Sequence, residues 1–159
     1  MNVLIVACGD TGVTLKVATK LKQQLTGLSV DVVDGKDKIE LAGYDEYVLG
    51  TNVHFGKFNK RFYKALKSLR KIAKRPYVYI CGAEIEKKDK FENAMAKEVP
   101  EAKCARFVWG ELHSDVARGF KKFAIESFYR GRKDDGLPIP KLLDKEIKAL
   151  SRQILESEW

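Results

Sequence analysis

The segment Gly9-Asp10-Thr11-Gly12-Val13-Thr14 lies between an apolar run at 2–7 and a stretch whose apolar residues Val13, Val17, Leu21 and Leu25 recur every four positions. The run reads as a strand buried on both faces and the spacing as one side of a helix, so the segment is a strand-to-helix loop. A helix start offers unpaired N–H groups and roughly half a positive charge. The hydroxyls of Thr11 and Thr14 would donate to an anion, and Gly12 would let the backbone approach it closely. The loop is short for a dinucleotide fingerprint and has no lysine of the P-loop type, so a monophosphate suits it best. The competing reading is that Asp10 or Thr11 only caps the helix.

Two more segments with chemistry to offer fall at strand ends. Gly50-Thr51-Asn52-Val53-His54-Phe55-Gly56-Lys57-Phe58 combines two glycines, aromatics and hydrogen-bonding side chains, and Cys81-Gly82-Ala83-Glu84 again has a glycine at a strand exit. Together with the first loop they would surround a planar ring, amide groups reaching its polar atoms and Phe55 stacking on its face. The outline is that of a flavin site, in which the flavin supplies the chemistry and no side chain need act as nucleophile or proton donor. His54 would modulate protons near the ring or simply be a polar surface residue.

The elements that must position these loops are legible as an alternation. Strands are expected at 2–7, 29–33, 46–50, 77–81 and 104–109, with helices from Val13 onward and at 57–74, 89–98, 115–129 and 141–156, and a weak helical patch at 39–42. Pro76 ends the second main helix, and a polar link at 131–136 separates the last two. Strands alternating with helices predict an α/β fold: a doubly wound five-stranded parallel sheet, helices on both faces and an added helical segment before the last helix. Ligands in such folds sit at the carboxyl ends of the strands, where the strand order reverses.

With 159 residues, 45% hydrophobic and 33% charged, the chain fits one domain over 1–159. No window approaches the roughly eighteen uninterrupted apolar residues of a membrane span, and the N-terminus lacks the basic region of a signal peptide, so a cytoplasmic protein is expected. Cys8, Cys81 and Cys104 are odd in number and widely spaced, and His54 and His113 are the only histidines. No disulfide or zinc pattern emerges, and metal-free chemistry is expected.

The first loop resembles that of the flavodoxins, Thr/Ser-x-Thr-Gly-x-Thr, matching from Thr11 onward and departing at Gly9, where a hydroxyl would stand. Nearly the whole chain is similar to the flavodoxin-type branch that includes the menaquinone-dependent protoporphyrinogen oxidases. The resemblance is carried by Leu49 through Phe58, by Trp109-Gly110-Glu111-Leu112, and by the added basic, aromatic helix. It implies a flavodoxin-like fold with FMN as cofactor. Asp10, Thr11, Gly12, Val13 and Thr14 would lie at the phosphate, Thr51, Asn52, Val53, His54, Phe55 and Gly56 along the ring, and Cys81, Gly82, Ala83 and Glu84 on its other side.

A net charge of +8 points to a polyanionic partner, an anionic membrane surface or an acidic protein. From Lys57 to Arg75 there are nine Lys or Arg and no acid, at helical spacing opposite the apolar stripe Phe58, Phe62, Ala65, Leu66 and Leu69. A second cluster interleaves Arg118, Lys121, Lys122, Arg130, Arg132 and Lys133 with Phe120, Phe123, Phe128 and Tyr129. These are solvated faces or a surface for anionic lipid, where a quinone would accept electrons. Nucleic acid is not the expected partner: no binding motif is recognisable, and core packing explains Phe58 and Phe62. Two functions stand: an FMN-dependent oxidoreductase or electron carrier, of protoporphyrinogen or quinone type, and a binding module of the same fold without FMN.

Overall fold

The computed structural model describes residues 1–10, 12–110 and 120–157. In chain order these form β1 (Asn2–Cys8), α1 (Val13–Gln24), β2 (Ser29–Asp34), β3 (Glu46–His54), β4 (Lys57–Phe58), α2 (Lys60–Lys71), β5 (Tyr77–Cys81), a 3-10 turn (Ile85–Lys87), α3 (Lys88–Glu98), β6 (Cys104–Phe107), α4 (Phe120–Asp134) and α5 (Asp144–Glu156). The sheet runs β2-β1-β3-β5-β6 with all five strands parallel, and β4 adds a short antiparallel partner to β3. The doubly wound order expected from the alternation is the one observed.

Period-two alternation along the buried strands divides the core into two layers. Val3, Ile5, Ala7, Val48, Tyr77 and Tyr79 face α1 and α5, while Leu4, Val6, Leu49, Val78, Ile80 and Phe107 face α2 and α3. Helices α1 and α2 therefore leave β1 and β3 on opposite faces, opening a crevice between the two strand ends. The register sets those ends level: Cys8 lies beside Thr51, and Asn52 beside Cys81.

Several boundaries differ from the sequence reading, each for a local reason. Residues 39–42 are not helical. Ile39 and Leu41 pack against the core from an irregular segment, and Tyr47 Oη donates to the Leu41 carbonyl (2.6 Å). Strand β3 continues past Gly50 to His54, because β5 pairs with it as far as Asn52 and the β4 hairpin pairs Val53 and His54. The second main helix starts at Lys60, after Asn59 caps it by accepting from the Arg61 amide, and ends at Lys71. Strand β6 stops at Phe107, short of Trp109, and α5 starts at Asp144 where 141 was expected. Helix α4 runs on to Asp134 through the expected polar link, while positions 115–119 of the expected helix lie outside the described residues.

Candidate functional site

Helix α1 begins at Gly12, a left-handed N-cap (φ 81°) with no side-chain hydrogen bond to the first turn. The carboxylate of Asp10 does not cap this helix. It accepts from Asn52 Nδ2 (3.3 Å) and Asn59 Nδ2 (3.4 Å), with the Arg61 guanidinium 4.0 Å away. Thr11 lies outside the described residues. The start of α1 borders a hollow of about 450 Å³ lined by Gly9, Gly12 and Thr14, by the cations Lys36 and Arg61 and by the carboxylates Asp10 and Asp34; a helix N-terminus with two cations beside it suits an anion, and the two carboxylates oppose it.

Gly9 and Thr14 are coupled. A Cβ built on Gly9 would stand 1.9 Å from Thr14 Oγ1, so the Thr14 hydroxyl occupies the space a side chain at position 9 would need. The sequence departure at Gly9 thus has a steric partner five residues away. Thr14 is 2% exposed, and its carbonyl accepts a hydrogen bond from the buried Tyr79 hydroxyl (2.7 Å), which ties the start of α1 to β5. Tyr79 in turn needs Gly50 to be glycine, since a Cβ there would lie 2.0 Å from the ring.

The ends of β3 and β5 form a cleft of about 220 Å³ beside this hollow. Asp10, Val13, Asn52, Val53, His54 and Phe55 line it from one side, and Cys81, Gly82 and Ala83 from the other. Members of all three sequence-read loops converge there. Asn52 is held by Asp10 and by Asn59 Nδ2 (3.1 Å to Asn52 Oδ1). Ala83 is anchored through its carbonyl by Trp109 Nε1 (2.9 Å). Burial pushes the Cys81 thiol well up, so it stays protonated beside the cleft.

Other expected residues are placed elsewhere. The Thr51 hydroxyl is buried, accepting from the Asn59 amide (3.0 Å) and donating to the Asn52 carbonyl (3.0 Å), so it supports the cleft without lining it. Gly56 and Glu84 border a neighbouring hollow of about 500 Å³, which has Val53, Phe55, Gly82 and Ala83 in common with the cleft; Glu84 pairs with Lys87 at 3.0 Å.

Sequence reasoning missed Asn59, Arg61 and, above all, α4. Ala124, Ile125 and Phe128 of that helix close the cleft. Helix α4 is fastened by Arg132, 4% exposed, whose guanidinium makes two bonds to the Glu86 carboxylate (2.8 and 3.2 Å), a third to the Pro138 carbonyl (2.7 Å), and stacks at 5.5 Å on Phe128. The interleaved Phe and Arg of this segment were visible in sequence, but their destination was not.

A phosphate monoester joined to an aromatic ring fits this donor set. Backbone amides and the Thr14 hydroxyl would serve the anion, and the apolar walls with the Asn52 side-chain N–H not engaged by Asp10 would serve the ring. The cleft alone is smaller than the usual ligand pocket of about 300 Å³ or more, and the hollow of about 500 Å³ next to it shares Val53, Phe55, Gly82 and Ala83 with it.

Residues 4–136 match the family model described as flavodoxin domain. No curated protein matches the chain. Among solved structures, oxidised flavodoxin 1 from Bacillus cereus shares 16% identity at a TM-score of 0.54, over 80% of this chain and 94% of its own. The rubredoxin oxygen:oxidoreductase of Desulfovibrio gigas shares 13% at 0.53, over 96% of this chain but only 37% of that protein. At these identities the likeness is one of fold.

Proposed function

This chain belongs to the flavodoxin domain family, and on that premise we propose that it binds FMN and transfers electrons through it. The observation that supports the reading most directly is the start of α1, closed by a glycine with no side-chain cap, level with a cleft built from the ends of β3 and β5. Gly12, Val13 and Thr14 would hold the phosphate, and Asn52, Val53, Phe55, Gly82 and Ala83 the ring. Bound FMN supplies one- and two-electron chemistry. The protein's own work is to orient it and keep water out: Ile125 and Phe128 cover the cleft, and the protonated Cys81 offers no competing thiolate.

The finer reading is an oxidoreductase acting on a porphyrinogen-like or other hydrophobic substrate with a quinone as acceptor, met at an anionic lipid surface. The resemblance around Phe55 and the basic face of α2 support it. No helix among the described residues is long and apolar enough to cross a membrane, so contact would be peripheral. The second reading, a module that no longer binds FMN, rests on Gly9, and the Thr14 hydroxyl filling that space weakens its motive.

Titration of purified protein with FMN tests the proposal. Quenched flavin fluorescence and a yellow holoprotein are expected, with affinity lowered about tenfold in Thr14→Val, which removes one hydrogen bond to the anion and keeps the volume. A protein that stays colourless with excess FMN would be the flavin-free module. Menaquinone and protoporphyrinogen turnover by the holoprotein then tests the finer reading.

A further inference from the structure

Beyond the cleft, between α2, α3 and the β3–β4 hairpin, lies a second hollow of about 780 Å³, within the range of sites for small organic molecules. Asp10, His54 and Phe55 border both spaces. The floor is apolar and aromatic, from Phe58, Phe91 and Ala94 with the Tyr63 ring, while Lys57, Lys60, Arg61 and Lys90 stand around it.

The charges do not cancel locally. Of the two carboxylates at this hollow, Glu98 accepts the Tyr63 hydroxyl and Asp10 is engaged by Asn52, Asn59 and Arg61. Lys57, Lys60 and Lys90 have no carboxylate partner among the described residues. Three such ammonium groups over an aromatic floor favour a ligand that is flat and hydrocarbon in body and negative at its edge. A neutral molecule would leave the rim unused, and a simple inorganic anion would leave the floor wet.

The dividing wall is Phe55, 86% exposed and with the adjacent His54 ring at 4.3 Å. From these observations we infer that the hollow is a second site, which takes an apolar organic anion bearing carboxylate or sulfonate groups and places it beside the ring of the cofactor. The inference rests on the FMN reading for its role and on the hollow's own chemistry for its ligand.

The test uses the full chain with two probes of similar shape, anionic 8-anilinonaphthalene-1-sulfonate and neutral N-phenyl-1-naphthylamine, with and without FMN. The anionic probe should bind at least about tenfold more tightly, as favourable Coulomb terms from several unpaired cations near the surface require. Lys60→Glu with Lys90→Glu should remove that preference while FMN affinity stays within about twofold, native near-UV circular dichroism excluding probe uptake by a loosened core. If charge reversal disturbs the fold, Lys60→Gln with Lys90→Gln should lower the preference severalfold. Equal binding of the two probes, or a preference unchanged in a folded variant, would overturn the second site. Anionic-probe binding without FMN binding would instead overturn the cofactor reading and leave the site standing.

Discussion

At Phe55 the backbone is held at φ 49° and at Gly56 at φ 73°, the consecutive left-handed pair that a two-residue hairpin between His54 and Lys57 requires. Asn-Gly is the favourable pair for such a turn, and a phenylalanine in that conformation costs about 1 kcal/mol or more. Here the strain supports an exposed aromatic ring on the wall of the cleft. Phe55→Asn should therefore raise the melting temperature by about 3 °C while weakening FMN by about fivefold through loss of the aromatic face. A variant no more stable, or unaltered in flavin affinity, would assign the ring another purpose. Gly9 supports a second experiment. The flavodoxin pattern suggests that Gly9→Ser would restore a phosphate contact; the Thr14 hydroxyl already in that space predicts the opposite, a loss of about tenfold in FMN affinity from displaced packing. Adding Thr14→Ala to Gly9→Ser should recover most of it, because the introduced serine hydroxyl would then stand where the Thr14 hydroxyl was, and calorimetric titration of both variants beside the unaltered protein decides between the two expectations.

Among the elements, α4 is the one whose packing suggests movement. Of its described side chains only Ile125 and Arg132 are buried, so it covers the cleft with little apolar area and is fastened chiefly through Arg132. Arg132→Lys keeps the charge but loses the two-pronged geometry, and should speed FMN release about tenfold with little change in global stability. The same fastening depends on pH. The Arg132 hydrogen bond holds the Glu86 carboxyl below its ordinary value of 4.5. A lowered folded-state pKa means that the contribution is present above the unfolded value and is lost as pH falls through the folded one. Flavin release measured by stopped flow should be flat near neutrality and accelerate below about pH 4.5, and Glu86→Gln should flatten that profile. Sequence made the rest of this layer legible for a physical reason: β1, β3 and β5 are buried on both faces and read as apolar runs, and α2 separates Lys and Arg from Phe62, Ala65, Leu66 and Leu69. The β4 hairpin was not legible because Phe55-Gly56 lacks an ordinary turn signal. Nor was the closure of the cleft by α4, because the meeting of residues 128 and 53 at one cleft follows from tertiary packing and leaves no period or spacing in the chain.

On the scale of the whole molecule, the expectation of a doubly wound sheet was met because alternation and crossover handedness constrain the topology strongly, whereas nothing in composition specifies a partner. Charge distribution narrows the choice. Lys60, Lys64, Lys67, Lys71 and Lys74 form one stripe down and just beyond α2, on the face opposite its core residues, and none of the five has a carboxylate partner among the described residues. Arg70 is occupied by Glu101. A peripheral contact with anionic lipid through this stripe would gain about 1 kcal/mol for each cation close to the surface. Reversal at Lys64→Glu and Lys67→Glu, both away from the cleft, should then lower partition onto acidic phospholipid vesicles by at least about thirtyfold and leave FMN affinity unchanged. Partition of the unaltered protein should fall steeply as salt rises from about 0.01 to about 0.15 M, because the screening length shrinks from about 30 to about 8 Å. Neutral vesicles should retain almost none of it. Equal retention on neutral and acidic vesicles, or indifference to salt, would remove the lipid surface and leave the stripe as a solvated face. Loss only of electron transfer to an acidic protein in the Lys64 and Lys67 variant would assign the same charges to a protein partner.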